Sequence, residues 1–221
     1  MDFLHHLYLT LRHLSPESVR DFAQYMGPGL YVVFFGIIFC ETGLVVWPFL
    51  PGDSLLFTIG AVAAMGGVNL PLIAILLCVA ANCGDLLNYT IGYRLGPKVF
   101  SSEQSKFLNK KHLLEAHKFY EKYGRKTIIL ARFVPIIRTF APFVAGIGRM
   151  PFIEFEMFSI VGGVFWVLIC LLAGYFLGSI ELVKKHFEIM ILAIVVISVI
   201  PALVEFIKAR KHSSKEMQEQ S

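Results

Sequence analysis

The feature that most constrains this chain is a series of apolar stretches interrupted by prolines, glycines and charged residues at points that would lie within a membrane. Residues 70–95 and 152–178 are each long enough to cross a bilayer, which takes about 20 residues of helix, and residues 187–207 make a further such run. Residues 30–50 are equally apolar but carry Glu41 and run into Trp47-Pro48 and Pro51-Gly52-Asp53. Residues 54–64 are too short to span, and the apolar stretch 127–148 holds Arg132, Pro135, Arg138 and Pro142. Hydrophobic residues make up 56% of the chain and charged residues only 16%, against about 25% charged in an ordinary soluble domain. The expected fold class is an all-α polytopic membrane protein. Residues 1–25 are broken by His, Arg, Asp and Pro and lack the apolar core of a cleaved signal peptide, so insertion is expected to rely on retained segments.

The chain divides by composition. Residues 1–26 mix Leu, Phe and Tyr with His and Arg and read as an amphipathic helix at the interface, ended by Gly27-Pro28-Gly29. A single membrane domain follows over 27–207, and 208–221 is a basic polar tail. Within the domain, 30–96 and 127–178 read as two repeats joined by a basic connection, 97–126, with the transmembrane run 187–207 last. Lys98, Lys106, Lys110, Lys111, Lys118, Lys122, Arg125 and Lys126 crowd the connection, which places it in the cytoplasm. Phe107, Leu114, Phe119 and Tyr123 recur there at near-helical spacing, as in a helix lying on the surface.

Two short strings recur in the same order in both repeats. Pro48-Phe49-Leu50-Pro51-Gly52 resembles Pro142-Phe143-Val144-Ala145-Gly146, and Gly92-Tyr93-Arg94-Leu95-Gly96 resembles Gly174-Tyr175-Phe176-Leu177-Gly178. Each repeat thus reads as a Pro/Gly-broken re-entrant hairpin followed by one long helix. The tail is basic like the connection, so the C-terminus is expected in the cytoplasm, and parity then requires the second hairpin to enter and leave on that side. The first hairpin would open on the opposite face, giving an inverted repeat with broken helices, the arrangement of secondary transporters.

Glu41 and Asp53 flank the break of the first hairpin, and Arg132 and Arg138 flank Pro135 in the second. A charge near the bilayer centre costs at least about 2.5–3.5 kcal/mol on insertion scales, so four of them imply pairing or contact with water. They could simply neutralise one another and hold the hairpins together. Their position at helix breaks favours a site instead: arginine offers a planar fork suited to phosphate or carboxylate, and a desolvated carboxylate can exchange protons near neutrality. Together they describe a proton-coupled site for an anion. Asp85 and Asn88 are secondary candidates, since Ala81, Asp85, Asn88 and Gly92 share one helical face; an interhelical hydrogen-bonding role is as good an account of them. Cys40, Cys78, Cys83 and Cys170 read as small buried hydrophobes without disulfide or metal, and the histidines receive no catalytic role.

The strings Phe39-Cys40-Glu41-Thr42-Gly43-Leu44-Val45-Val46 and Pro48-Phe49-Leu50-Pro51-Gly52-Asp53-Ser54-Leu55-Leu56-Phe57 resemble the first signature of the DedA family, also called the SNARE-associated or VTT-domain family. Gly84-Asp85, Asn88-Tyr89-Thr90-Ile91-Gly92 and Phe119-Tyr120-Glu121-Lys122 extend the resemblance. So do Lys126-Thr127-Ile128-Ile129-Leu130-Ala131-Arg132-Phe133-Val134-Pro135-Ile136 and Arg138-Thr139-Phe140-Ala141-Pro142-Phe143-Val144-Ala145-Gly146. The resemblance covers about residues 30–201. It implies paired re-entrant hairpins, a bacterial inner-membrane location, and return of undecaprenyl phosphate across that membrane coupled to the proton motive force. It maps the family's essential acids onto Glu41 and Asp53 and its arginines onto Arg132 and Arg138.

The resulting expectation is a lipid-phosphate translocase in which Arg132 and Arg138 hold the phosphate and Glu41 and Asp53 carry protons. Its partners would be membrane phospholipid, polyprenyl phosphate and protons, with no cofactor, metal or nucleic acid; a homo-oligomer is compatible with the sequence. The rivals are a proton-coupled antiporter of small solutes or cations, and a membrane-homeostasis or assembly protein without transport activity. A lipid phosphatase ranks low because no His/Asp nucleophile arrangement is visible, so no enzymatic activity is expected.

Overall fold

The computed structural model describes residues 21, 23–44, 52–101 and 124–180. The expected N-terminal amphipathic segment up to residue 20, residues 102–123 of the basic connection, the run 187–207 and the tail lie outside these residues, as do all the histidines. Six α-helices lie wholly within the described residues: α1 Pro28–Gly43, α2 Gly52–Ala64, α3 Leu70–Ser101, α4 Thr127–Ala131, α5 Pro135–Ile147 and α6 Phe152–Ser179, with a 3₁₀ turn at Gly124–Lys126 leading into α4.

Local chemistry sets these boundaries. α1 and α5 each open on proline, whose fixed φ suits a first helical turn where its missing N–H leaves nothing unbonded. The side chain of Asn69 caps α3 by accepting a hydrogen bond from the Leu72 N–H at 3.0 Å. The chain leaves α2 through Gly66 at φ +76, with the N–H groups of Gly66 and Gly67 bonding back to Ala63 and Val62. Arg132-Phe133-Val134 forms the break between α4 and α5. Pro135, which the sequence placed at the second break, opens α5, and Pro142 lies inside α5 without ending it.

Two stretches, Leu70–Arg94 and Phe152–Ser179, are long and apolar enough to cross a membrane, whereas Pro28–Gly43, Gly52–Ala64 and Ile137–Ile147 are shorter apolar helices. The outer face of α6 leaves Ile153, Met157, Phe165, Ile169 and Phe176 at least half exposed. So large a continuous apolar surface fits lipid rather than water. Of the cysteines, Cys40 is exposed and Cys78, Cys83 and Cys170 are partly buried; all four are free, so the expected full burial does not hold.

The two halves of the chain are cross-packed. α2 packs chiefly on α6 of the other half, and α5 chiefly on α3. Both contacts rest on glycines. A Cβ on Gly60 would overlap the Leu171 backbone and one on Gly174 the Phe57 backbone; likewise Gly146 meets Tyr89 and Gly92 meets Phe143. Phe57–Gly60 against Leu171–Gly174 therefore repeats, with the same spacing, as Phe143–Gly146 against Tyr89–Gly92. Such close backbone approach is how helices associate in lipid, where burial of apolar side chains offers little drive.

Contacts Asp53–Trp166, Phe57–Gly174 and Ala61–Gly178 rise together along both helices, as do Thr139–Asn88 and Phe143–Gly92, so α2 is parallel to α6 and α5 to α3. The contacts Tyr89–Phe155 and Asp85–Ser159 make the two long helices α3 and α6 antiparallel to each other. The recurrence of Gly92 and Gly174 agrees with the string repeat read from the sequence. The pairing of Gly52 with Gly146 does not: Gly60 is the structural counterpart of Gly146, while Gly52 lies against the Glu41 carboxylate.

Candidate functional site

Charge gathers at two breaks between helices, α1 to α2 and α4 to α5. Glu41 is in the last turn of α1, Asp53 in the first turn of α2, Arg132 directly after α4 and Arg138 in the opening turns of α5. Asp53 at a helix start and Arg132 at a helix end suit the local backbone dipoles, whereas Glu41 and Arg138 each sit at the unfavourable end of their own helix. Those two meet each other. Arg138 Nη2 donates to Glu41 Oε1 at 2.6 Å, and Arg138 Nη1 donates to Asp53 Oδ1 at 2.7 Å. Arg138 and Glu41 are buried, with side chains 4% and 1% exposed, but the Asp53 side chain is 52% exposed. Asp53 is thus the open edge of an otherwise enclosed pair.

Arg132 belongs to a second, fully enclosed group. Its Nη2 donates to Asp85 Oδ2 and to Ser159 Oγ, and Ser159 Oγ donates to the same Asp85 oxygen at 2.6 Å. Gly162 and Gly163 of α6 make room for the side chain: a Cβ at either would come within 3.4 Å of it. The sequence reading grouped Arg132 with Arg138 as joint holders of one anion and kept Asp85 secondary. The structure separates them, giving Arg138 both Glu41 and Asp53 and Arg132 its own carboxylate, Asp85 on α3.

Trp166 joins the two groups. Its Nε1–H donates to Asp53 Oδ1 at 2.6 Å. Its ring lies 4.7 Å from the Arg138 guanidinium and 5.8 Å from that of Arg132, both within cation–π range. Sequence reasoning missed Trp166 and Ser159. The available signal for Trp166 was its depth: tryptophan in a spanning helix favours the interfaces, and here it follows Gly162-Gly163 well inside the apolar run. Ser159 gave no comparable signal.

Asn88 is a cross-brace. Its Nδ2 donates to the backbone oxygens of Thr42 at 3.2 Å and Thr139 at 2.7 Å, tying the end of α1 and the start of α5 to α3. Ala81, Asp85, Asn88 and Gly92 all face inward, as their helical spacing implied. Three buried atoms of the cluster have no hydrogen-bond partner: Arg132 Nη1, Arg138 Nε and Glu41 Oε2. The cluster therefore holds two guanidinium donors with no acceptor, beside a carboxylate that reaches the exterior.

The VTT domain matches residues 50–176, which carry Asp53, Asp85, Arg132, Arg138, Ser159 and Trp166. This chain belongs to the VTT-domain (DedA) family. Protein DedA of Escherichia coli strain K12 is 44% identical over 97% of this chain and 99% of its own length. An uncharacterized membrane protein of Mycobacterium tuberculosis strain H37Rv is 49% identical over 80% of this chain and 77% of its own. Inner membrane protein YqjA of Escherichia coli strain K12 is 33% identical over 80% and 83% respectively. No solved structure matches the chain. This VTT-domain chain is a membrane protein with an all-helical described fold.

Proposed function

We propose that this chain is an inner-membrane lipid-phosphate translocase that returns undecaprenyl phosphate across the membrane, coupled to the proton motive force. The observation that carries the reading is Arg138: a buried guanidinium forked between Glu41 and a half-exposed Asp53, with its Nε unpaired. A phosphate reaching the exposed edge would compete with Asp53 for the Nη1 donor. Glu41 and Asp53 would carry the protons: loss of either charge would weaken the hold on Arg138 and favour the exchange, which links anion binding to proton uptake. Arg132, held by Asp85 and Ser159, would supply its free Nη1 from the enclosed side. The isoprenoid tail would remain in lipid, and no chemical step on the substrate is part of the reading.

The equivalent parallel packing of α2 on α6 and α5 on α3, with α3 and α6 antiparallel to each other, supports two inverted repeats, with the short helices as re-entrant hairpins. Non-helical backbone at that depth is tolerated where protein or water surrounds it, and the charged cluster sits at those breaks. The inner-membrane assignment draws on the name of the YqjA relative, and the cytoplasmic placement of connection and C-terminus on their Lys/Arg excess. The test is reconstitution in liposomes with polyprenyl phosphate, following its movement between leaflets with and without a pH gradient.

One observation favours a second reading. The cluster holds three carboxylates, Glu41, Asp53 and Asp85, against two guanidiniums, an excess of acid that would suit a cation/proton antiporter. Cation-dependent dissipation of an imposed pH gradient, without lipid phosphate, would select it.

A further inference from the structure

Away from the charged cluster, a cavity of about 370 Å³ opens beside the turn between α5 and α6, lined by Tyr89, Tyr93, Arg149, Met150, Pro151 and Phe152. Its floor is fixed. The Tyr89 hydroxyl donates to the Met150 carbonyl oxygen at 2.6 Å, and the Tyr89 ring stacks on Phe155 with centroids 4.3 Å apart. Arg149 stands at the rim, exposed, with its guanidinium 5.7 Å from the Tyr93 ring centroid. It holds a backbone φ of +51, which among described non-glycine residues is found only here. That conformation strains an ordinary side chain and favours glycine or asparagine.

From the cavity an apolar stripe continues along α6. Ile153, Met157, Ile160 and Val164 recur on one helical face and are all substantially exposed, next to the half-exposed Phe152 of the cavity wall. We infer that the cavity binds the phosphate head group of an anionic membrane lipid, with Arg149 as the cation, the aromatic wall enclosing the head group, and the lipid chain along this stripe. Charge and continuity select the occupant. An arginine fork pairs with phosphate, and the apolar face leading away from it would accept a hydrocarbon tail but nothing on a soluble anion. The inference goes beyond the transport reading, since neither Arg132 nor Arg138 takes part.

Native mass spectrometry of the full chain in detergent, titrated with dioleoyl phosphatidic acid and with dioleoylglycerol, which shares its chains but lacks the phosphate, tests it. The wild-type protein should bind the phosphatidic acid about tenfold more tightly, in keeping with a charge-assisted contact. Arg149→Gly, which suits the backbone at φ +51 and so should fold at least as well, should lose that preference. Arg149→Lys should keep part of it, and Arg138→Ala should keep it whole, whatever becomes of transport. The inference is overturned if Arg149→Gly retains the wild-type preference. It is equally overturned if equimolar inorganic phosphate displaces the lipid, or if Arg138→Ala alone abolishes the preference.

Discussion

Trp166 carries the Arg138 guanidinium on its ring face at 4.7 Å while its own indole N–H holds Asp53, the carboxylate that Arg138 also binds. The three groups close a triangle in which the aromatic ring fixes both partners of an ion pair. Trp166→Phe keeps most of the ring but removes the N–H, a hydrogen bond to a charged group that is worth about 1.5–3 kcal/mol. We expect it to reduce transport in liposomes, and Trp166→Leu, which also removes the π face, to reduce it further. Equal activity of Trp166→Leu and wild type would show that the indole is only packing.

The Arg132–Asp85 pair is buried on both sides, so removing one partner strands a charge. Asp85→Asn should lower stability by about 3–5 kcal/mol, the usual penalty for an uncompensated buried ion, measured by thermal unfolding in detergent. The double change Arg132→Met, Asp85→Leu should recover most of that loss while leaving the protein inactive in transport. Retained thermal stability of Asp85→Asn would mean that Arg132 finds another acceptor.

The glycine contacts make a separate prediction about folding. A side chain on Gly174 would overlap the Phe57 backbone, and one on Gly92 the Phe143 backbone. Gly174→Leu and Gly92→Leu should therefore each separate a short helix, α2 or α5, from its long partner. Because the contacts repeat, the two substitutions should be comparably destabilising, as read by melting temperature and yield of folded protein. Tolerance of either at wild-type stability would contradict the close packing.

Much of this was legible in the sequence because charge in an apolar run cannot be accidental. Glu41, Asp53, Arg132 and Arg138 stood out for that reason, and the structure places all four at helix breaks, with Arg138 contacting both Glu41 and Asp53. Gly92 and Gly174 were visible as a recurring string. Which carboxylate pairs with which guanidinium was not legible, since pairing depends on how the α4–α5 break and α5 pack against α1, α2 and α3, and periodicity along one helix carries no information about its neighbour. Asp85 therefore looked like a helix-face residue rather than the partner of Arg132. The string at Pro142 matched the one at the first break, Pro48-Phe49-Leu50-Pro51-Gly52, yet α5 continues through Pro142.

Arg138 offers one donor to each of two carboxylates, a geometry a point charge cannot copy. Arg138→Lys should insert and fold yet lose most transport, and Arg132→Lys should do likewise. Wild-type transport by both would remove the forked contact from the account.

The most direct measurement concerns Glu41 and the pH gradient. Glu41→Gln keeps the shape of the side chain and its contact with Arg138 but cannot exchange a proton. Wild-type protein and Glu41→Gln would be reconstituted in liposomes containing polyprenyl phosphate, and leaflet exchange of that lipid followed with and without an imposed pH gradient. The account predicts faster exchange under the gradient for the wild type, and binding without gradient response for Glu41→Gln. Exchange by the wild type no faster than in protein-free liposomes, or an intact gradient response in Glu41→Gln, would contradict it.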